Sequence, residues 1–171
     1  MAIRLRRSSP ADLAFITGLE RHPDNRDFIG QWTDAEHLAA IGGEGKREHW
    51  IIERDGAAAG FLIAYDCRFL DAGFYVKRLL VSDKERGTGS EALRQFNQRV
   101  FAMPGTSCVW LIVRNFNVRA QHVYTKMGFV RFDPEGEERR RYDSWAEAPS
   151  EASYRMRLWR PSGASSPSRS D

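Results

Sequence analysis

Residues 74–101, FYVKRLLVSDKERGTGSEALRQFNQRVF, open as a β-type apolar run, pass through a polar loop ending Gly87-Thr88-Gly89, and continue with helical periodicity. A glycine-lined turn that opens a helix is a place for phosphate. Glycine lets the backbone approach a ligand with no Cβ in the way. The unbonded N–H groups and positive dipole end of the first helical turn then attract an anion. A phosphorylated cofactor is expected at this turn.

Upstream, alternation at 3–7 predicts a first strand. Ser9-Pro10-Ala11-Asp12 supplies an N-cap, a first-turn proline and an acid three residues on, so a helix should run to about Arg21. Thr33-Asp34-Ala35-Glu36 is a second capping box; Leu38 and Ile41 follow at helical spacing, and Gly42-Gly43 ends the element. Runs at 49–54 and 58–65 flank Asp55-Gly56, a dipeptide suited to a tight hairpin, and a strand follows at 74–82.

Downstream of the glycine turn, Ala92, Phe96, Val100 and Met103 share one helical face before Pro104-Gly105 stops the helix. SCVWLIV at 107–113 is a continuous apolar run of strand length, as expected of a strand covered on both faces. A helix at 117–127 ends at Gly128, and 129–132 and 154–159 read as the last strands, with a charged loop between them.

The 171 residues fit one domain over 1–160, with the Pro/Gly/Ser-rich stretch 161–171 expected to be a disordered tail. No apolar run approaches the roughly 18 residues that span a bilayer, and MAIRLRRSSPAD lacks the apolar segment of a secretion signal, so a cytoplasmic location is expected. A formal charge of +3 does not argue for nucleic acid, and the Arg139-Arg140-Arg141 run reads as a solvated loop. Cys67 and Cys108 stand alone in apolar contexts, so buried reduced thiols are expected and no metal site.

Asn117-Val118-Arg119-Ala120-Gln121-His122-Val123-Tyr124-Thr125-Lys126-Met127-Gly128-Phe129 resembles the N-x-x-A-x-x-x-Y-x-x-x-G-F signature of the GNAT superfamily of acyl-CoA-dependent N-acyltransferases. The resemblance implies an α/β (α+β) GNAT fold, with a single mixed, mostly antiparallel sheet flanked by helices in the order β-α-α-β-β-β-α-β-α-β-β. Family members hold the pyrophosphate of coenzyme A in a loop of pattern Q/R-x-x-G-x-G/A. Here Lys84-Glu85-Arg86-Gly87-Thr88-Gly89 matches it, with lysine in the first position. Starting the pattern at Arg86 instead would put Glu91 at the small final position, crowding the phosphate.

By the same resemblance, acetyl-CoA is the co-substrate, with no metal. The backbone of Leu79, Leu80 and Val81 meets its pantetheine arm like an added strand, and a backbone N–H there polarises the thioester carbonyl. Lys84, Arg86, Gly87, Thr88, Gly89 and Ser90 receive the diphosphate, with Asn117 and Ala120 also on the cofactor. Asn117 serves as a pantetheine contact or as the cap of its helix. Tyr124 matches the family's acid for the departing thiolate, seven residues after Asn117 on the same helical face.

The strand glutamate that many relatives use as base is absent: Ile112 stands there, and Tyr75 stands at an alternative position on the strand before the turn. Water, or Glu20, Asp66 or Asp71, is left to take the amine's proton. Glu20, Phe28, Trp32 and Tyr75 are candidates for the acceptor side, although such aromatic residues are more often core and a helix-end carboxylate more often solvated. His122 reads as a surface residue.

The implied reaction moves an acetyl group to a primary amine, on a small molecule or a protein N-terminus. GTGSEAL at 87–93 is similar to the branch acting on protein N-termini, including ribosomal proteins. A homodimer is a family expectation. Two alternatives stand beside it: a non-catalytic acyl-CoA sensor, given the missing glutamate, and an NADP-dependent oxidoreductase, since Gly87, Gly89 and Ala92 also satisfy G-x-G-x-x-A. The helix pair and hairpin of the first half count against repeated βαβ units.

Overall fold

Asp55 and Gly56 take φ values of 50° and 84°, the two left-handed residues that a two-residue hairpin turn needs, and they close β2 (Arg47–Arg54) on β3 (Ala57–Asp66). The computed structural model describes residues 1–84, 86–146 and 148–163; the expected tail falls, from residue 164 onward, outside the described residues. With β1 (Ile3–Arg7), β4 (Phe74–Val81), β5 (Cys108–Arg114), β6 (Val130–Phe132) and β7 (Ser153–Trp159), these strands form one mixed sheet, ordered β1-β2-β3-β4-β5-β7-β6.

The chain folds as two compact units. The first comprises 1–65 and 76–95, the second the remainder, so β4 and the long helix α4 (Thr88–Phe101) each run from one unit into the other.

In the first unit, β1 and β3 both pair antiparallel with β2. The helix expected from Pro10 begins as a single 3-10 turn, Pro10–Asp12, and continues as α1 (Leu13–Arg21). Arg6 draws the start of this segment onto β1, its two terminal nitrogens 2.8 Å from the two Asp12 oxygens. A short helix absent from the sequence reading, α2 (Pro23–Arg26), follows because Pro23 is preset for a first turn and the His22 ring accepts from Asp24 N at 3.2 Å. Both halves of the Thr33–Glu36 capping box are present at the start of α3 (Asp34–Ile41). Ile16, Ile51, Phe61, Ile63 and Leu80 are the core that these elements share.

A register shift at Ile52 and Glu53 leaves Ala59 of β3 as a bulge. The next residue, Gly60, is where β3 lies closest to β4: a Cβ there would overlap the Leu80 carbonyl oxygen and stand 3.1 Å from Val81 Cα.

In the second unit, β7 pairs antiparallel with both β5 and β6. Trp110 of β5 stacks on Tyr75 at 4.2 Å between ring centroids, and its indole N–H donates to the Ala72 carbonyl at 2.8 Å. Tyr75 is thus a core residue of this unit. Cys67 and Cys108 are buried free thiols, and burial pushes both pKa values up.

The charged stretch expected as a loop is instead helix α6 (Gly136–Asp143), while Arg139 and Arg140 remain exposed on it. Its acids lie in the first turn and its arginines in the last, as a helix dipole favours, and tertiary contacts anchor it. Tyr142 is buried against Trp110, 4.9 Å away between ring centroids, and Arg157 of β7 donates to both Glu138, one turn back, and the Tyr142 hydroxyl.

Replacing Gly60 by alanine is expected to lower unfolding free energy by about 2 kcal/mol or more, because backbone on both strands must move to admit the methyl group. Urea denaturation of the variant beside the wild type checks this.

Candidate active site

The bulge at Ala59 sets where β4 ends, since its carbonyl accepts from both the backbone N and the hydroxyl of Ser82, at 2.8 and 3.0 Å. Leu79, Leu80 and Val81 are thereby delivered to the start of the glycine turn, Leu80 buried and its neighbours half-buried. Asp83 follows, within 3.2 Å of Arg54 and 3.0 Å of Arg86. Lys84 reaches the helical side: its ammonium donates to the Asp24 carbonyl at 2.8 Å and lies 5.9 Å from the Phe28 ring centroid.

Gly87 has φ of 74°, and a Cβ there would meet nothing within 4 Å, so the turn borders open space. Thr88 begins α4 fully buried, and its Oγ1 has no hydrogen-bond partner among the described residues. Gly89 rests on Val81, 3.6 Å from an added Cβ.

An open turn, the N-terminus of a long helix and an orphaned hydroxyl together suit a phosphate group. Glu91 in the first helical turn would oppose an anion, but Arg94 and Gln95 hold it. Its pKa falls to about 2, chiefly through the Arg94 hydrogen bond. The residues present fit a diphosphate-bearing cofactor.

Glu20, expected as a solvated helix end, is 1% exposed. Its Oε2 accepts from Arg78 Nη1 at 2.8 Å and lies 2.9 Å from His37 Nε2, while its Oε1 accepts from the Trp32 backbone N–H. Burial raises the Glu20 carboxyl, but these partners outweigh it and hold its pKa below the usual carboxylate range.

Behind it, His37 Nδ1 is 3.3 Å from His49 Nε2, and His49 Nδ1 is 2.8 Å from Ser8 Oγ. Burial pushes the His49 pKa down to about 3. Trp32 lies half-buried beside this chain, with the guanidinium carbons of Arg78 and Arg47 5.2 and 5.6 Å from its ring centroid. Sequence reasoning passed over Ser8, His37 and His49, and it set Arg78 toward an acidic substrate, solvent or coenzyme phosphate, whereas Arg78 is buried against Glu20. The only signal was a histidine and an arginine embedded in otherwise apolar strand patterns, HWII and RLLV.

The second unit holds the remaining predicted residues. Asn117 is the N-cap of α5 (Val118–Lys126), its Oδ1 accepting from Ala120 N at 3.3 Å. Tyr124 is half-buried on α5, 5.8 Å from the Phe129 ring between centroids, and desolvation pushes its phenol up to about 12. Ile112 lies opposite Arg155 on β7, and Asp66 and Asp71 are ion-paired with Arg68 and Arg141. His122 is exposed. Among the described residues, no group of three or more His, Cys, Asp or Glu could hold a metal ion, and no helix is long and apolar enough to cross a membrane.

Solved structures place the architecture among N-acetyltransferases. The aminoglycoside acetyltransferase AAC(6')-Ib in complex with coenzyme A superposes with a TM-score of 0.72 at 18% identity, covering 93% of this chain and 95% of that one. Spermidine N-acetyltransferase from Vibrio cholerae, in complex with CoA and spermine, gives 0.71 at 15% identity, covering 92% and 95%. Ard1 from Thermoplasma volcanium gives 0.68 at 20% identity, covering 93% and 98%. No curated protein matches the sequence. The family model for Acetyltransferase (GNAT) family matches residues 16–129, more than half of the chain, and the chain belongs to that family.

The unfolded chain protonates His49 near its ordinary pKa of 6.5, while the folded chain does so only near 3. Its contribution is therefore complete above pH 6.5 and falls as pH drops toward 3, by about 1.4 kcal/mol per unit. Urea unfolding of the wild type should lose about 2 kcal/mol from this group between pH 7 and 5, the slope steepening as pH falls, and His49→Gln should flatten it.

Proposed function

We propose that this chain transfers an acetyl group from acetyl-CoA to a primary amine, with residues 1–160 acting as one acetyltransferase domain. The observation that carries this reading is the open Gly87 turn leading into α4 with the unpartnered Thr88 hydroxyl, in a chain of this family. Gly87, Thr88, Gly89 and Ser90 would hold the diphosphate, with Arg86 and Lys84 as its cations, and the backbone of Leu79 to Val81 the pantetheine arm; Asn117 and Ala120 are proposed as further cofactor contacts. Bound there, the cofactor supplies an activated thioester.

Tyr124 is the proposed proton donor to the departing thiolate. Its raised pKa keeps the phenol protonated through the physiological range, so the proton is in place when sulfur needs it. Asn117 orders the first turn of the same helix. Phe28 and Trp32 are the proposed acceptor wall. The acceptor amine must arrive neutral or lose its proton to water, because Glu20, Asp66 and Asp71 are each held by cations.

That engagement of every candidate carboxylate also favours the second reading, a domain that binds acyl-CoA without turnover. An amine panel spanning amino sugars, polyamines and peptide N-termini, read by release of free thiol, separates the two. Acetyl transfer to one class establishes the enzyme, and acetyl-CoA binding without transfer to any amine establishes the sensor.

Tyr124→Phe is expected to lower kcat by roughly a hundredfold with the acetyl-CoA Kd unchanged. An unaltered kcat removes the phenol from the reaction. Gly87→Val should weaken acetyl-CoA binding by about tenfold or more, measured by calorimetry, since it strains a left-handed position and fills the turn.

A further inference from the structure

We infer that Glu20 is a positioning residue. By gripping the Arg78 guanidinium of β4 and the Trp32 backbone N–H together, it fixes the 27–33 connection against the cofactor strand and so sets the acceptor KM. This rests on the transfer reading above.

Glu20 and Arg78 have side chains 1% and 4% exposed, so neither meets solvent or a ligand directly. Both Glu20 oxygens are occupied: Oε2 by Arg78 and His37, Oε1 by Trp32 N–H. A buried carboxylate so engaged, with its pKa held below the usual range, is a poor acceptor for the amine's proton, which leaves geometry as its task.

The connection wraps the guanidinium. Trp32 lies over it, and a Cβ on Gly30 would stand 3.4 Å from Arg78 Nη2. The grip is backed by His37, His49 and Ser8, whose hydrogen-bonded chain runs from α3 across β2 to the residue after β1. Arg78 adjoins Leu79, the proposed contact for the thioester arm, and the connection carries Phe28, 38% exposed, and half-buried Trp32. A buried ion pair stabilises little more than apolar residues of the same volume would, but it demands one geometry. That demand passes to the two rings.

The test removes both charges together. Glu20→Met/Arg78→Met leaves no unpaired buried charge, but the Trp32 N–H and His37 Nε2 lose their acceptor, so the variant is expected to fold with its Tm lowered by roughly 5–10 °C. In it, amine KM should rise about tenfold while kcat and the acetyl-CoA Kd stay within about twofold, and amide exchange at Trp32 should accelerate by at least about tenfold. Unchanged KM and unchanged exchange overturn the inference.

If the double variant does not fold, Arg78→Lys keeps the charge but not the fork. A raised KM then supports the assignment and a wild-type KM overturns it. Arg4→Gln, which breaks an exposed pair with Glu53, is the control for general loss of an ion pair. Should the wild type bind acetyl-CoA yet acetylate no amine, the transfer reading fails by itself. Trp32 exchange in the double variant then decides the matter: acceleration supports the grip and retention overturns it.

Discussion

Glu20 and Arg78 meet where water does not reach, and that constrains how the elements of the first unit pack. A lone buried carboxylate or guanidinium costs several kcal/mol, so each must find the other with its remaining lone pairs and protons satisfied. The last turn of α1 must then face β4, the connection to α3 must present the Trp32 amide, and His37 must turn inward. His49 and Ser8 complete the chain, and the low polarity that makes these bonds costly to break also keeps His49 neutral.

The same economy of partners governs the chemistry. Acyl transfer needs a place for phosphate, a donor for the thiolate and a route for the amine's proton. In the proposed reaction the first is an open turn with an orphaned hydroxyl, and the second a phenol whose pKa is raised by desolvation. The third has no dedicated group among the carboxylates named from the sequence, since each is drawn off by a cation. With Ile112 on β5 in the place of a glutamate, an acceptor that is neutral on arrival, or a water, is the simplest partner for this set of residues.

Local rules read the chain well wherever the determinant is short-range. The Thr33–Glu36 box, the Asp55-Gly56 turn and the Asn117 cap appear as written, because each is a contact between residues no more than three apart. Local rules failed where distant residues decide. Residues 136–143 read as a charged loop; their acids-first, arginines-last order suits a helix dipole, and Tyr142 and Glu138, one turn apart, anchor that helix by both meeting Arg157. Glu20 looks solvated beside His22 and Asp24, and its burial is visible only once a residue 58 positions away is brought to it.

The sequence by itself determined the order of strands and principal helices, the glycine turn that opens α4 and the family, since these are written in periodicity, capping and a motif of fixed spacing. Only the tertiary structure decided which polar side chains are buried and with whom. Burial and ion pairing depend on where separate elements dock, and no pattern within one element carries that distance.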